Sequence, residues 1–284
     1  MRAGHARRLP GARDVLLPAA IAAVGLGLGY GSAALWSPFD GATTASVAAL
    51  PAVTPAASSG PGPTPTATGP AVATADPAPV ASPSPSFDTA AHSLTDPGSI
   101  WVVVNKLNPL DPIDYEPADL VTVGSVPGGV RLREEAADAL AALYAAADAE
   151  GAGFSASTAY RDHAFQASLY STYVGRSGEA SAERYSARAG HSEHQTGLAV
   201  DIHSEGCRLE ACFGDTAAGR YVAEHAWEHG FIVRYPEDAE GITGYIHESW
   251  HLRYVGFELA AEMRERGVAT MEEFFGLDPA PDYD

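Results

Sequence analysis

The sequence predicts an α+β domain in which a small antiparallel sheet is flanked by helices. Strand-like and helix-like segments intermingle between residues 97 and 284, without the regular alternation that a parallel sheet requires. Hydrophobic residues make up 46% of the 284-residue chain, which is enough for one sizeable core. No internal repeat is visible, so a single folded domain is expected.

The first half of this domain is expected to contain two strands and two helices. Residues 100–104 form a short β-branched and aromatic run, which is typical of a strand. Residues 131–150 carry apolar side chains at helical spacing and are followed by glycines, so they predict an amphipathic helix. Residues 154–159 predict a second strand, and Asp162 is a suitable N-cap for the next helix.

The second half contains the most informative strand. From Leu198 onward apolar side chains alternate with small or polar ones, which predicts a strand with one buried face. Thr216 can cap a helix that ends at a glycine, and residues 231–235 form another strand-like run. Residues 256–266 then predict a final helix, again ended by a glycine.

Asp201 lies in the middle of the strand that starts near Leu198. Its face also carries Ala199 and His203, while the opposite face is apolar. Burying a bare carboxylate costs roughly several kcal/mol, so Asp201 needs a partner. That partner could be an arginine such as Arg253, or it could be a metal ion.

Two clusters of potential ligands favour a metal. A catalytic zinc ion uses three protein ligands and leaves a position open, and His194, Asp201 and His251 could supply those three. The chain must turn between the first two, and Gly197 tolerates the dihedral angles of such a turn. Glu248 precedes His251 by three residues, so on a turn or short helix it could reach a water molecule as general base.

Each of these residues also has a structural interpretation. His194 could be an ordinary loop histidine and Glu248 a surface acid, because most single histidines and acids have no catalytic role. His203 shares the face of Asp201 and is the strongest competing ligand. The metal hypothesis therefore depends on the residues acting together.

Charge and cysteine content narrow the possible partners. The formal net charge of −19 argues against a polyanionic partner, so no nucleic acid is expected. The two cysteines, Cys207 and Cys212, lie five residues apart, and an exported protein would join them in a local disulfide. The alternative is half of a cysteine-rich zinc site, but the chain has no second cysteine pair to complete it.

The N-terminal third predicts attachment to a membrane. Residues 1–14 are basic and are expected in the cytoplasm, and residues 15–37 contain no charge and are long enough to span a bilayer. Residues 38–96, rich in Pro, Ala, Ser and Thr, predict a disordered linker to the domain at 97–284. A cleaved signal peptide is the alternative, and the protein would then be secreted.

Three motifs show a family resemblance. They are S-x-x-Y-R-x-x-x-x-Q at 157–166, S-x-H-x-x-G-x-A-x-D at 192–201 and E-x-W-H-x-R-Y-V-G at 248–256. Together with the segment at 104–112, their order and spacing resemble the VanY-type zinc D-alanyl-D-alanine carboxypeptidases, which have the Hedgehog/DD-peptidase fold. The resemblance covers residues 100–265 and none of the anchor or linker.

The resemblance assigns roles to individual positions. It implies zinc ligands at His194, Asp201 and His251, a catalytic carboxylate at Glu248, and a catalytic and substrate-binding guanidinium at Arg161. The remaining motif side chains are expected to bind substrate: Ser157, Tyr160, Gln166, Ser192 and Trp250.

The expected function is removal of the terminal D-alanine from peptidoglycan stem peptides. The enzyme would hold one Zn²⁺ per monomeric domain and would face the cell wall from a single-pass anchor in the cell membrane. Alternatives within the enzyme class are an L,D-carboxypeptidase and an endopeptidase. A non-catalytic, zinc-containing cell-wall binding module is a further alternative, which the presence of both Glu248 and Arg161 disfavours.

Overall fold

The computed structural model describes residues 87–204 and 206–283. The predicted basic segment at 1–14, the anchor at 15–37 and the linker as far as residue 86 lie outside the described residues. Within the described part of the chain, no helix combines the length and apolarity needed to cross a membrane.

A five-stranded antiparallel sheet forms the centre of the domain, in the order β3-β4-β7-β6, with the short β5 paired to the end of β4. A separate two-stranded ribbon is formed by β1 (Leu120–Thr122) and β2 (Arg131–Arg133). The strands of the larger sheet are β3 (Ser155–Thr158), β4 (Ala199–Ser204), β5 (Cys207–Arg208), β6 (Phe231–Tyr235) and β7 (Glu248–Tyr254). The predicted α+β class with an antiparallel sheet is therefore confirmed.

In the described part of the chain, helices and three 3₁₀ turns surround the sheet. The helices are α1 (Glu134–Ala149), α2 (His163–Ser177), α3 (Glu179–Ala182), α4 (Ala217–His225), α5 (Glu240–Thr243), α6 (Phe257–Arg266) and α7 (Met271–Phe275). The 3₁₀ turns are Glu193–Thr196, Ala211–Asp215 and Ala226–His229. The predicted caps are present: Asp162 accepts from the Phe165 amide at 2.7 Å, and Thr216 accepts from the Gly219 amide at 2.9 Å.

The main core lies between the sheet and α1. The apolar face of β4 supplies Val200 and Ile202, which are fully buried in one cluster with Leu140 and Leu143 of α1. Full burial of each such side chain contributes roughly 1.5–3 kcal/mol. The predicted alternation along β4 is thus correct, and it leaves the other face of the strand for Asp201.

Two predicted elements differ from the structure. Residues 101–104 are buried and Ile100 is partly buried, yet the segment forms no strand, because Arg253 donates to the carbonyl oxygens of Ile100 at 3.1 Å and Val102 at 2.9 Å. A side chain thus occupies acceptors that a neighbouring strand would otherwise use. The helix predicted from residue 131 begins at Glu134, since Arg131–Arg133 pairs with β1 instead.

The folded part also begins before the predicted boundary at residue 97. Phe87 stacks on Trp101 with ring centroids 5.6 Å apart, and Leu94 packs against the same cluster. Residues 87–96, predicted as the end of the linker, therefore contribute to the domain. This stretch directly follows a segment of low complexity, so the sequence assigns it to the linker, and its two large apolar residues give too weak a signal to change that boundary.

Candidate metal centre and active site

Asp201 and His251 meet across the middle of the sheet. They are register partners on the antiparallel strands β4 and β7, and both are buried. Side chains directly opposite each other on such strands lie close together on one face. The Oδ1 atom of Asp201 accordingly lies 3.0 Å from Nδ1 of His251.

His194 reaches the same point from the 3₁₀ turn before β4. The turn ends at Gly197, whose φ of 69° lies in the left-handed region that glycine tolerates. Nδ1 of His194 donates to the carbonyl oxygen of Ala159 at 2.8 Å, which leaves Nε2 facing Oδ2 of Asp201 at 3.4 Å. The sharp turn predicted between His194 and the strand is present.

The three side chains fit a zinc ion. One ligand atom from each of His194, Asp201 and His251 lies within 4.8 Å of the other two, and all three residues are buried. Two imidazole nitrogens and a carboxylate oxygen are donors that zinc prefers. Tetrahedral ligands about 2.0–2.1 Å from zinc lie roughly 3.4 Å from one another, close to the 3.0 and 3.4 Å separations found here.

The electrostatics of this cluster are consistent with a cation site. Burial, reinforced by the charge of Arg161, lowers the pKa of His194 to about 4, so this imidazole is neutral and can ligate. Burial also lowers the pKa of His251, but hydrogen bonds to Asp201 and Glu193 outweigh it and raise that pKa to about 9. A proton on Nδ1 of His251 thus occupies a position that suits a metal cation.

Glu248 faces the cluster from β7 itself. We expected a turn or short helix here, but Glu248–Tyr254 is a strand, on which residues three apart normally point to opposite faces. An irregularity solves this problem: Tyr235 pairs with Glu248 and Val233 with Leu252, so β7 carries extra residues. Oε2 of Glu248 consequently lies 3.9 Å from Nδ1 of His251.

The environment of Glu248 suits proton transfer. Burial raises the pKa of this carboxyl to about 8, and the nearby charge of Asp201 also raises it, whereas His251 and Arg161 oppose the shift. A carboxyl group whose pKa lies near the working pH can both take up and release a proton. The geometry thus offers a general base next to the cation site.

Arg161 lies beside the cluster on the loop between β3 and α2. Its Nη1 atom is 3.8 Å from Oδ2 of Asp201, and its Nε donates to Oε1 of Gln166 at 2.9 Å. Gln166 in turn donates to the carbonyl oxygen of Ala187 at 2.7 Å. The arginine suggested as a partner for Asp201, Arg253, instead contacts Glu193 at 2.9 Å, so that suggestion was wrong.

These side chains open into a cavity of about 430 Å³. Among the predicted substrate-binding residues, Ser157, Ser192 and Trp250 line it together with Arg161. The other two lie outside the lining: Gln166 is fully buried and holds Arg161, and the Tyr160 ring lies 5.8 Å from the guanidinium of Arg131. Gln166 thus supports another residue of the motif, whereas Tyr160 contacts an arginine outside it, and neither lines the cavity.

Several residues of the site could not be recognised from the sequence. Tyr235 and Tyr245 line the cavity, and Glu193 contacts the far side of His251. Glu193 occupies the unspecified position of the S-x-H motif, and the only signal in the sequence was an acidic residue directly before a candidate ligand. Nothing in the sequence pattern linked Tyr235 to the site beyond its position at the end of a strand.

Cys207 and Cys212 are joined as a disulfide, with Cα atoms 5.7 Å apart. The loop that they close places Arg208 and Leu209 on the cavity lining. His203, the competing ligand, is the register partner of Arg208. Among the described residues, His203 is outside the group that could hold a metal.

Comparison with known proteins places this geometry in a family. The family model "VanY: D-alanyl-D-alanine carboxypeptidase" matches residues 129–257. YodJ of Bacillus subtilis (strain 168), a protein named as a carboxypeptidase, is 41% identical over 191 residues, which cover 64% of this chain and 69% of YodJ.

Two solved structures are similar as well. The LdcB LD-carboxypeptidase is 41% identical with a TM-score of 0.60, over 63% of this chain and 87% of that chain. A variant of the VanY D,D-pentapeptidase from a VanB-type resistance cassette, in complex with Zn(II), is 31% identical with a TM-score of 0.53, over 61% and 97%. Since more than two thirds of YodJ is covered at 41% identity and the matched segment contains every residue from Arg161 to His251, this chain belongs to the VanY family of D-alanyl-D-alanine carboxypeptidases.

Proposed function

We propose that the protein is a zinc-dependent D-alanyl-D-alanine carboxypeptidase that removes the terminal D-alanine from peptidoglycan stem peptides. The observation that carries the proposal is the convergence of His194, Asp201 and His251, with Glu248 beside them, in one cavity. The Zn(II) complex of a structural neighbour supports the choice of metal.

The proposed zinc ligands are Nε2 of His194, the carboxylate of Asp201 and Nδ1 of His251. When bound there, zinc would polarise the scissile carbonyl and make a water molecule nucleophilic near neutral pH. The hydrogen bond from His194 to the Ala159 carbonyl fixes the tautomer that leaves Nε2 available.

Glu248 is proposed as the general base and then the general acid. Its carboxylate would take a proton from the attacking water and deliver it to the leaving amine of D-alanine. Its burial keeps competing bulk water away from the carboxylate. The irregularity in β7 is what lets this residue share a face with His251.

Arg161 is proposed to bind negative charge on the substrate. Its guanidinium remains charged at all relevant pH values and presents a planar set of donors. Gln166 holds the Nε side, so the remaining donors can be directed into the cavity. They could hold either the carbonyl oxygen as charge develops or the terminal carboxylate.

Residues outside the described part of the chain provide the proposed location. The uncharged segment 15–37 would anchor the protein in the cell membrane, and the linker up to residue 86 would let the domain reach the cell wall. Protease accessibility of the domain on intact cells, with retention of the chain in the membrane fraction, is the corresponding test. Release into the medium would favour the cleaved signal peptide.

An L,D-carboxypeptidase is the second candidate. It is favoured by the LdcB structure, whose 41% identity and TM-score of 0.60 exceed the 31% and 0.53 of the VanY pentapeptidase. Both activities would release D-alanine, but from different peptides. A D,D-carboxypeptidase acts on a pentapeptide that ends in two D-alanines, whereas an L,D-carboxypeptidase acts on the tetrapeptide.

The deciding experiment offers both peptides to the zinc-loaded protein and weighs the products. We expect the pentapeptide to lose one alanine and the tetrapeptide to persist. Conversion of the tetrapeptide alone would establish the L,D activity instead. Cleavage inside a cross-linked dimer would indicate an endopeptidase, and no cleavage of any substrate by zinc-loaded protein would indicate a binding module.

A further inference from the structure

A fully buried group of four charged residues lies behind the candidate metal centre. It consists of Glu193, Arg234, Arg253 and Glu272, each at most 1% exposed. Two carboxylates and two guanidinium groups make the group electrically neutral. Burying so many charges is costly unless each has a well-placed partner, so their arrangement calls for an explanation.

The two oxygen atoms of Glu193 have different partners. Oε1 accepts from Nε of Arg234 at 2.8 Å and from Nη1 of Arg253 at 2.9 Å. Oε2 faces Nε2 of His251 at 3.4 Å, which is at the long end for a hydrogen bond. One oxygen thus fixes the carboxylate, and the other faces the proposed metal ligand.

The two arginines are themselves held by other groups. Arg234 donates from Nη1 and Nη2 to the two oxygens of Glu272 at 2.9 and 2.7 Å, and Asn105 donates to the same carboxylate at 2.9 Å. Arg253 donates to the Val102 carbonyl at 2.9 Å. These bonds leave Glu193 little freedom to move relative to β6, β7 and α7.

The partners of Glu193 in this setting are cations that can only donate hydrogen bonds. Arg234 and Arg253 both donate to Oε1, an arrangement that fits a carboxylate. A carboxylate can only accept hydrogen bonds. It therefore stabilises the form of His251 that carries a proton on Nε2.

We propose that Glu193 is a positioning residue for His251: it accepts the Nε2 proton and thereby keeps Nδ1 directed at Asp201 and available to the metal. This inference rests on the proposed zinc site. The buried arginines act one step further away, since they hold the carboxylate.

The substitution Glu193→Gln tests this role with little change in shape. An amide that turned its NH₂ group toward His251 would favour a proton on Nδ1, and one that turned its oxygen there would direct NH₂ at the arginines. Either arrangement disturbs the ligand, so we expect zinc affinity, measured by competition with a chelator, to fall about 10–100-fold.

Glu272→Gln is the matched control. It removes a carboxylate from the same buried group and should also lower the melting temperature, but Glu272 has no hydrogen bond to His251. We expect it to lower zinc affinity far less than Glu193→Gln does while the protein remains folded, because Arg234 and Arg253 can still hold Glu193. Equal zinc affinity of the Glu193→Gln variant and wild type would overturn the proposal, as would an equal loss in both variants.

A measurement on the unaltered protein covers the case in which a variant does not fold. Imidazole nitrogen NMR of the zinc-loaded full chain should show His251 with metal on Nδ1 and a proton on Nε2. Metal on Nε2 would exclude the role of Glu193. Absence of zinc from wild type would overturn both this role and the proposed function, whereas normal activity with a metal on Nε2 would overturn this role alone.

Discussion

Glu248 and His251 share one face of β7 although they are three residues apart, and Oε2 of the first lies 3.9 Å from Nδ1 of the second. A regular strand would point one of these side chains into the core. The irregular pairing with β6 is therefore as important to the site as the residues themselves. The proposed roles of metal ligand and general base thus fall on different residues, because Glu248 lies beside the ligand group but is not part of it.

Glu248→Gln should separate metal binding from turnover. The amide has nearly the same size but cannot take up a proton as the carboxylate does. We expect zinc content to persist and turnover of the pentapeptide to fall at least about 100-fold. Glu258→Gln, at an exposed position on α6, is the control and should retain wild-type turnover. Near-normal turnover of the Glu248 variant would assign proton transfer to another residue.

Two histidines provide a sharp test of the ligand set. His251→Ala should empty the zinc site, because it leaves two ligands where a catalytic site needs three. His203→Ala should retain zinc, since His203 lies on the same strand as Asp201 but outside the ligand group. Elemental analysis of both purified variants decides the matter. Full zinc occupancy in the His251 variant would remove it from the ligand set.

Much of the site could be predicted because it follows from strand periodicity and from ligand chemistry. The alternation along β4 placed Asp201 opposite the core, and three metal-binding side chain types at suitable positions indicated zinc. The conformation of β7 could not be predicted, because a strand irregularity depends on the pairing with β6. The i to i+3 spacing of Glu248 and His251 indicated a turn, because residues three apart share a face on a turn or helix but not on a regular strand.

The pairing of the buried charged residues also could not be predicted from local sequence patterns. Arg253 and Glu193 are far apart in sequence, and their pairing depends on the tertiary fold. Residues 100–104 have the composition of a strand, yet arginine donors hold their carbonyl groups. Tertiary hydrogen bonds outweighed strand propensity in this case.

Gly197→Ala should disturb the turn that brings His194 to Asp201. A Cβ atom there would lie 2.8 Å from Cδ2 of Leu120 and 3.0 Å from Cγ of Arg133, in addition to the cost of a positive φ. Gly267→Ala is matched in φ, at +65°, but its Cβ meets nothing within 4 Å. We expect the control to lose about 1–2 kcal/mol of unfolding free energy, and Gly197→Ala to lose more and to bind zinc more weakly. Denaturant unfolding and chelator competition measure the two effects; equal losses would show that the turn tolerates a side chain.

The Cys207–Cys212 disulfide should contribute modestly to stability. The loop is short, so the double substitution to serine is expected to cost about 2 kcal/mol or less of unfolding free energy. Zinc content should not change, since neither cysteine is in the ligand group. Thiol titration of the unfolded, unreduced protein checks the bond directly and should find no free thiol. Two reactive thiols would contradict the pairing.

The position of cleavage depends on what Arg161 binds. A carboxypeptidase must recognise a terminal carboxylate, and in this acidic protein a cation within the cavity has to offset the repulsion. A pentapeptide and its C-terminal amide have the same scissile bond but differ in that charge. We expect the amide to be cut at least ten times more slowly, because loss of a charge-assisted hydrogen bond costs roughly 1.5–3 kcal/mol.

The substitution Arg161→Gln then tells whether this arginine is the group that recognises the carboxylate. If it is, the variant should cut the free acid and the amide at similar low rates, since the guanidinium that distinguishes the carboxylate from the amide is gone. If the variant is slow but still prefers the acid, Arg161 serves only the developing oxyanion, and Arg208 on the cavity lining becomes the next candidate. Equal rates on both substrates with the wild-type protein would reject recognition of the terminus and would favour an endopeptidase, because such an enzyme must let the peptide chain continue past the site.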